Sequence, residues 1–178
     1  MTSPDRSPIN IRKAVDKDRS AIAGIHARSW QDAYRQVLPD EFLDTRVHDN
    51  RLEKWLAQEI LPQDLVLLAE DGGTGDLLGF IAVWCRPDPF IDNLHVLPGL
   101  RSRGTGTRLM QAAARELLRH GHTTAWLWAV KANTRAIRFY ERLGGICIGQ
   151  TIQEVVGVSV PTVKIEWPDL GRILVLGS

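Results

Sequence analysis

Residues 91–107 read IDNLHVLPGLRSRGTGT, a strand-like run that Pro98 breaks into a turn rich in arginine and glycine. The turn contains Arg101-x-x-Gly104-x-Gly106, and beyond it Leu109, Met110, Ala113 and Leu117 recur at helical spacing. Strand, glycine-rich turn and helix in this order make an anion cradle. Glycine lets the backbone approach a ligand without a Cβ in the way. The unpaired N–H groups of the first helical turn, aided by the helix dipole, then face the negative charge. Arg101, Arg103 and Arg108 crowd the same turn, so the expected ligand carries phosphates. The spacing is neither the G-x-G-x-x-G of dinucleotide sites nor the G-x-x-x-x-G-K-[ST] of a P-loop. On capping chemistry alone, a strand-to-helix turn with solvated arginines remains the plain alternative.

A second segment sharpens the reading. Residues 124–130 (TAWLWAV) form a strand-like run, followed by Asn133-Thr-Arg-Ala136-Ile137-Arg-Phe139-Tyr140-Glu-Arg-Leu143-Gly144. Asn133 suits an N-cap, Ala136, Ile137, Tyr140 and Leu143 share a helical face, and Gly144 suits a C-terminal cap. The first segment resembles the acyl-coenzyme A signature [R/Q]-x-x-G-x-[G/A] of the GNAT acyltransferases. The second resembles the same superfamily's N-x-x-A-x-x-F-Y-x-x-L-G. They stand in the family's order, and the resemblance covers roughly residues 65–150 best.

That resemblance implies a mixed α/β fold: a central, mostly antiparallel sheet with one splayed parallel strand pair, flanked by helices. It further implies acetyl-CoA as co-substrate, without a metal. Leu94, His95 and Val96 would offer backbone to the pantetheine. Arg101, Ser102, Arg103, Gly104, Thr105, Gly106 and Thr107 would hold the pyrophosphate, and Asn133 and Tyr140 would contact the pantetheine and sulfur. Tyr140 matches the family tyrosine that protonates the leaving thiolate; read alone, it is equally a core tyrosine. The family's oxyanion donor is a backbone N–H near Val96. The fifth-strand glutamate base of some relatives is absent, because Trp128 occupies that place.

Asp92 and His95 are therefore the candidates for handling the acceptor's proton. Histidine titrates near pH 6.5, which suits proton acceptance. A packed histidine and a solvated carboxylate are the bland readings of the two. Strict strand alternation sets Asp92, Leu94 and Val96 on one face and Asn93 and His95 on the other, which argues against a dyad. Trp30 and Tyr34, four apart on a first helix, could wall an acceptor pocket with Asp92, or could equally be core. The segment around them resembles the H-x-x-S-W-x-x-x-Y helix of small bacterial GNAT proteins.

The rest of the chain limits the alternatives. Its 178 residues suit one domain of the usual 100–200 or so, expected over residues 9–170 behind a disordered tail at 1–8. A net charge of +1 gives no global attraction to nucleic acid or membrane, and no aromatic-basic surface motif argues for either. Neither a signal peptide nor an apolar run of the roughly 20 residues needed for a span is visible, so a cytoplasmic location is expected. Cys85 and Cys147 lie in apolar strand-like runs and read as reduced core cysteines. The element order reads βααβββαβαββ. The expected function is acetyl transfer to a primary amine, with a small-molecule acceptor favoured over a protein and a homodimer left open. The rival from another class is a non-catalytic acyl-CoA sensor.

Overall fold

The computed structural model describes residues 7–100 and 104–177. Seven strands form one sheet: β1 (Ile9–Lys13), β2 (Leu65–Asp71), β3 (Leu77–Cys85), β4 (Pro89–Val96), β5 (Ala125–Val130), β6 (Ile146–Val155) and β7 (Val158–Trp167). Their order across the sheet is β1-β2-β3-β4-β5-β7-β6, and every neighbouring pair is antiparallel except β4 and β5. The helices are α1 (Arg19–Ala33), α2 (Val47–Ala57), α3 (Thr105–Arg119), α4 (Thr134–Arg142) and α5 (Gly171–Leu176).

Both faces of the sheet are covered, so β2 and β3 are apolar almost throughout rather than alternating. On one face Leu67, Ile81 and Val83 pack under α3, which buries the predicted stripe of Leu109, Met110, Ala113 and Leu117. On the other, Val66, Leu68, Phe80 and Ala82 pack under Ile22 and Ile25 of α1 and Trp55 of α2. Asp71 Oδ1 accepts from the N–H of Gly73 and Thr74, which tightens the β2–β3 turn.

Four details depart from the sequence reading. The second helical segment is not one continuous α-helix: a π-helical turn at Phe42–Arg46 precedes α2, which ends at Ala57. A short helix, α5, follows residue 170 and buries Ile173 in the α3-side core. Pro8 is tied to the β2–β3 turn, its carbonyl accepting from Gly72 N–H at 2.7 Å. Cys147 is exposed on β6, an outermost strand with little above or below it, whereas Cys85 is buried as expected.

The β4–β5 pair positions the site. Its only register pair is Phe90 with Trp126, and the strands part toward their C-terminal ends. Beyond that pair Leu94 and Val96 on one strand and Ala129 and Val130 on the other line a shared cavity instead of bonding to each other.

Candidate active site

The cavity in this gap has a volume of about 910 Å³. It runs from the N-terminus of α3 (Gly104, Gly106, Thr107), between β4 and β5, to α4 with Asn133 and Tyr140. Gly104 sits ahead of α3 with φ of 78°, a left-handed conformation that glycine adopts without a steric penalty. Its carbonyl accepts from Arg108 N–H at 3.0 Å, so the helix starts abruptly and its first N–H groups open toward the cavity. A Cβ on Gly106 would come within 3.3 Å of Phe139 Cζ, so packing against α4 requires a small residue there. Thr105 is fully buried and its Oγ1 lacks a hydrogen-bond partner. Arg101, Ser102 and Arg103 lie outside the described residues.

Asn133 caps α4 as expected, its side-chain oxygen accepting from Ala136 N–H at 3.1 Å. The amide nitrogen remains the end able to donate to a ligand. Tyr140 is buried, its ring edge-on to Phe139 and Trp167, yet it contributes to the cavity wall. Burial foremost, and then Tyr34 nearby, push its phenol above the ordinary value. It is therefore a protonated donor at neutral pH and is unsuited to act as a base. Arg135, Arg138 and Arg142 also line this cavity. Their spacing along one side of α4 was visible in the sequence, but the resemblance directs attention to the Asn and Tyr positions.

A second cavity of about 420 Å³ lies on the α1–α2 side. The two cavities share Tyr34, Asp92, His95, Trp128 and Val130, so they meet at the C-terminal half of β4. Asp92 and His95 thus face one space, contrary to strict alternation. The cause is a β-bulge. Ala82 pairs with Asn93 and Val83 with Ile91, which leaves Asp92 as the extra residue on β4. One unpaired residue re-aims the side chains around it.

His95 Nδ1 lies 2.9 Å from Ser29 Oγ, and its ring stacks on His26 with centroids 4.4 Å apart. His26 is buried and accepts at Nδ1 from Trp55 Nε1–H at 3.1 Å, which ties α1 to α2. Burial, then the neighbouring His95, Arg51 and Lys54, push its pKa well below the ordinary histidine range. Asp92 is exposed and lines both cavities, and partial desolvation there pushes its carboxyl up. Hydrogen bonds from Trp84 and from Asn93 (2.6 Å), and the charges of Arg51 and Lys54, oppose that rise.

Trp30 and Tyr34 combine both expected roles. Their rings meet edge to face at 5.4 Å, Trp30 is mostly buried, and both line the second cavity. Trp128, standing where some relatives have a base, is a wall between the two cavities. Sequence reasoning missed Arg51, whose guanidinium carbon stands 4.0 Å from the centre of the Trp30 ring. It also missed His26 and Ser29 as neighbours of His95. Arg51 carried no local signal, because it reaches the site only through the packing of α2 on α1. Among the described residues no cluster of three or more His, Cys, Asp or Glu could hold a metal, and no helix is long and apolar enough to cross a membrane.

Comparison with known proteins agrees with this geometry. The chain is 25% identical over 174 residues to the uncharacterized N-acetyltransferase YuaI of Bacillus subtilis, spanning 94% of this chain and 98% of that protein. A GCN5-related N-acetyltransferase of Rhodopseudomonas palustris superposes with a TM-score of 0.74 at 21% identity, over 93% of this chain and 98% of that one. YncA of Salmonella typhimurium, solved with its cofactor acetyl-CoA, superposes at 0.67 with 22% identity, over 92% and 95%. The model of the acetyltransferase (GNAT) family matches residues 26–145, about two thirds of the sequence, and the chain belongs to that family.

Proposed function

We propose that this chain is an acetyl-CoA-dependent N-acetyltransferase that passes the acetyl group directly to the primary amine of a small molecule. The observation that carries the reading is the meeting of two cavities at Asp92 and His95. The larger one, open to the α3 N-terminus, suits a long phosphate-bearing thioester. The N–H groups at the start of α3, where Gly104, Gly106 and Thr107 line this cavity, fit such a ligand. The smaller cavity, walled by Trp30, Tyr34 and Trp128, suits the acceptor.

In this reading Asp92 draws the acceptor ammonium to the junction, and His95, in contact with Ser29, takes its proton. The freed nitrogen lone pair forms the new C–N bond to the acetyl carbon. The nitrogen then gives up its second proton to solvent as the C–S bond breaks; the sulfur takes the proton of Tyr140, and Tyr140 is reprotonated from solvent while His95 releases its proton there. Neither Cys85 nor Cys147 lines either cavity, which favours transfer without an acyl-cysteine stage. The test is amine-dependent release of free thiol from acetyl-CoA across amines, amino acids, aminoglycosides and peptides. Release with one class of small amines, matched by its N-acetyl product, is the expected result. Binding of acetyl-CoA with no amine-dependent release would mark the protein as a sensor.

A further inference from the structure

Arg51 is a charged side chain placed where a folded protein rarely leaves one. Only 6% of its surface is accessible, and it lines the smaller cavity. Its Nε donates to Asn50 Oδ1 at 3.1 Å, as does its Nη2, and the plane lies over Trp30. Asn50 is neutral, and among the described residues no carboxylate forms an ion pair with Arg51. Asp92 acts on it through space without an ion-pair contact, and a guanidinium buried with so little compensation favours an anion beside it. Lys54, one helical turn further along α2, lines the same cavity and adds a second positive charge. Asp92 faces this pair from β4. The cavity therefore has a basic end on α2 and Asp92 beside the acetyl-transfer junction, with Glu154 of β6 elsewhere on its wall. Trp30, Trp55, Trp84 and Phe90 contribute aromatic walls between them.

We infer that the acceptor is an amino acid with an apolar or aromatic side chain, its carboxylate held by Arg51 and its amine presented at Asp92 and His95. This rests on the acetyltransferase reading above and names its substrate class. A guanidinium offers paired N–H groups to a carboxylate in a fixed fork, which fixes orientation as well as charge. Burial pushes the Arg51 pKa down to about 10, so the group is still a cation at neutral pH. At the α2 end Arg51 and Lys54 would repel a second ammonium group, which disfavours polyamines and aminoglycosides that reach it.

The test measures kcat/KM with acetyl-CoA for leucine, methionine, phenylalanine and tryptophan against the amide of each and against 1,4-diaminobutane. Each value is corrected for the fraction of neutral amine. For at least one amino acid the free acid should exceed its amide by about 10–100-fold, with the diamine poorer still. Arg51→Gln should bring that ratio close to one while leaving acetyl-CoA binding intact, and Arg51→Lys should restore part of it. If amides or diamines are acetylated as well as the acids, the substrate class is wrong and the acetyltransferase reading stands. If no amine in the wider screen releases thiol, both fall. The wild-type acid-to-amide ratio decides the class even if a variant fails to fold.

Discussion

Tyr140 packs in the core and also lines the larger cavity, and one substitution separates packing from the proposed chemistry. Tyr140→Phe keeps the ring against Phe139 and Trp167 and removes only the hydroxyl. As the proton donor to the leaving sulfur, it should lower kcat by about 10²–10⁴-fold with little change in acetyl-CoA affinity. Normal turnover in the phenylalanine variant would make Tyr140 a packing residue only. Thr105 gives a second expectation. Replacing a buried hydroxyl that lacks a partner by the similarly shaped valine removes a desolvation cost of about 1–3 kcal/mol. Thr105→Val should raise the Tm of the ligand-free protein by a few degrees; a fall would show that the hydroxyl is satisfied. At this scale the sequence named Tyr140, Asn133, Asp92, His95, Trp30 and Tyr34, because each stands in a motif or a short periodic run. Arg51 was illegible as a site residue, since it stands in no motif; Ser29 and His26 stand in the α1 motif, but their contacts with His95 on β4 were not readable from it.

At the scale of the element, α1 and α2 are joined through His26 and Trp55, and that joint should make the protein sensitive to acid. His26 is neutral in the fold, with a pKa well below the ordinary 6.5. The unfolded chain binds a proton there that the folded chain refuses. The contribution is therefore complete above about pH 6.5 and is lost as pH falls toward the folded pKa. Tm should drop between about pH 7.5 and 5, and His26→Gln, which retains an acceptor for Trp55, should flatten that drop. An unchanged slope would assign the acid sensitivity to other groups. Element boundaries were largely legible from periodicity and caps: α3 and α4 begin and bury the faces expected of them. The bulge at Asp92 was not, because a one-residue slip between β3 and β4 leaves no mark on either strand alone. It reverses the inference drawn from alternation and brings Asp92 and His95 to one cavity.

The whole molecule adds what no single segment holds: a strand pair that meets at Phe90 and Trp126 and then parts, so that two cavities join inside the sheet. The splay was expected from family resemblance, not from periodicity, since nothing in β4 or β5 read alone forbids continued pairing. The smaller cavity was foreseen as an aromatic wall with Asp92 but without its basic end, which is supplied by the folding of α2 across α1. Joined cavities make a distinct kinetic demand. Under the proposed direct transfer, both substrates must be present together, and neither product would leave before the second substrate binds. Initial rates measured with acetyl-CoA and the acceptor both varied test this most directly. The double-reciprocal lines should intersect, and mass spectrometry of protein incubated with acetyl-CoA alone should show no covalent acetyl adduct. Parallel lines together with an acetyl group on Ser29, which stands 2.9 Å from His95, would contradict direct transfer.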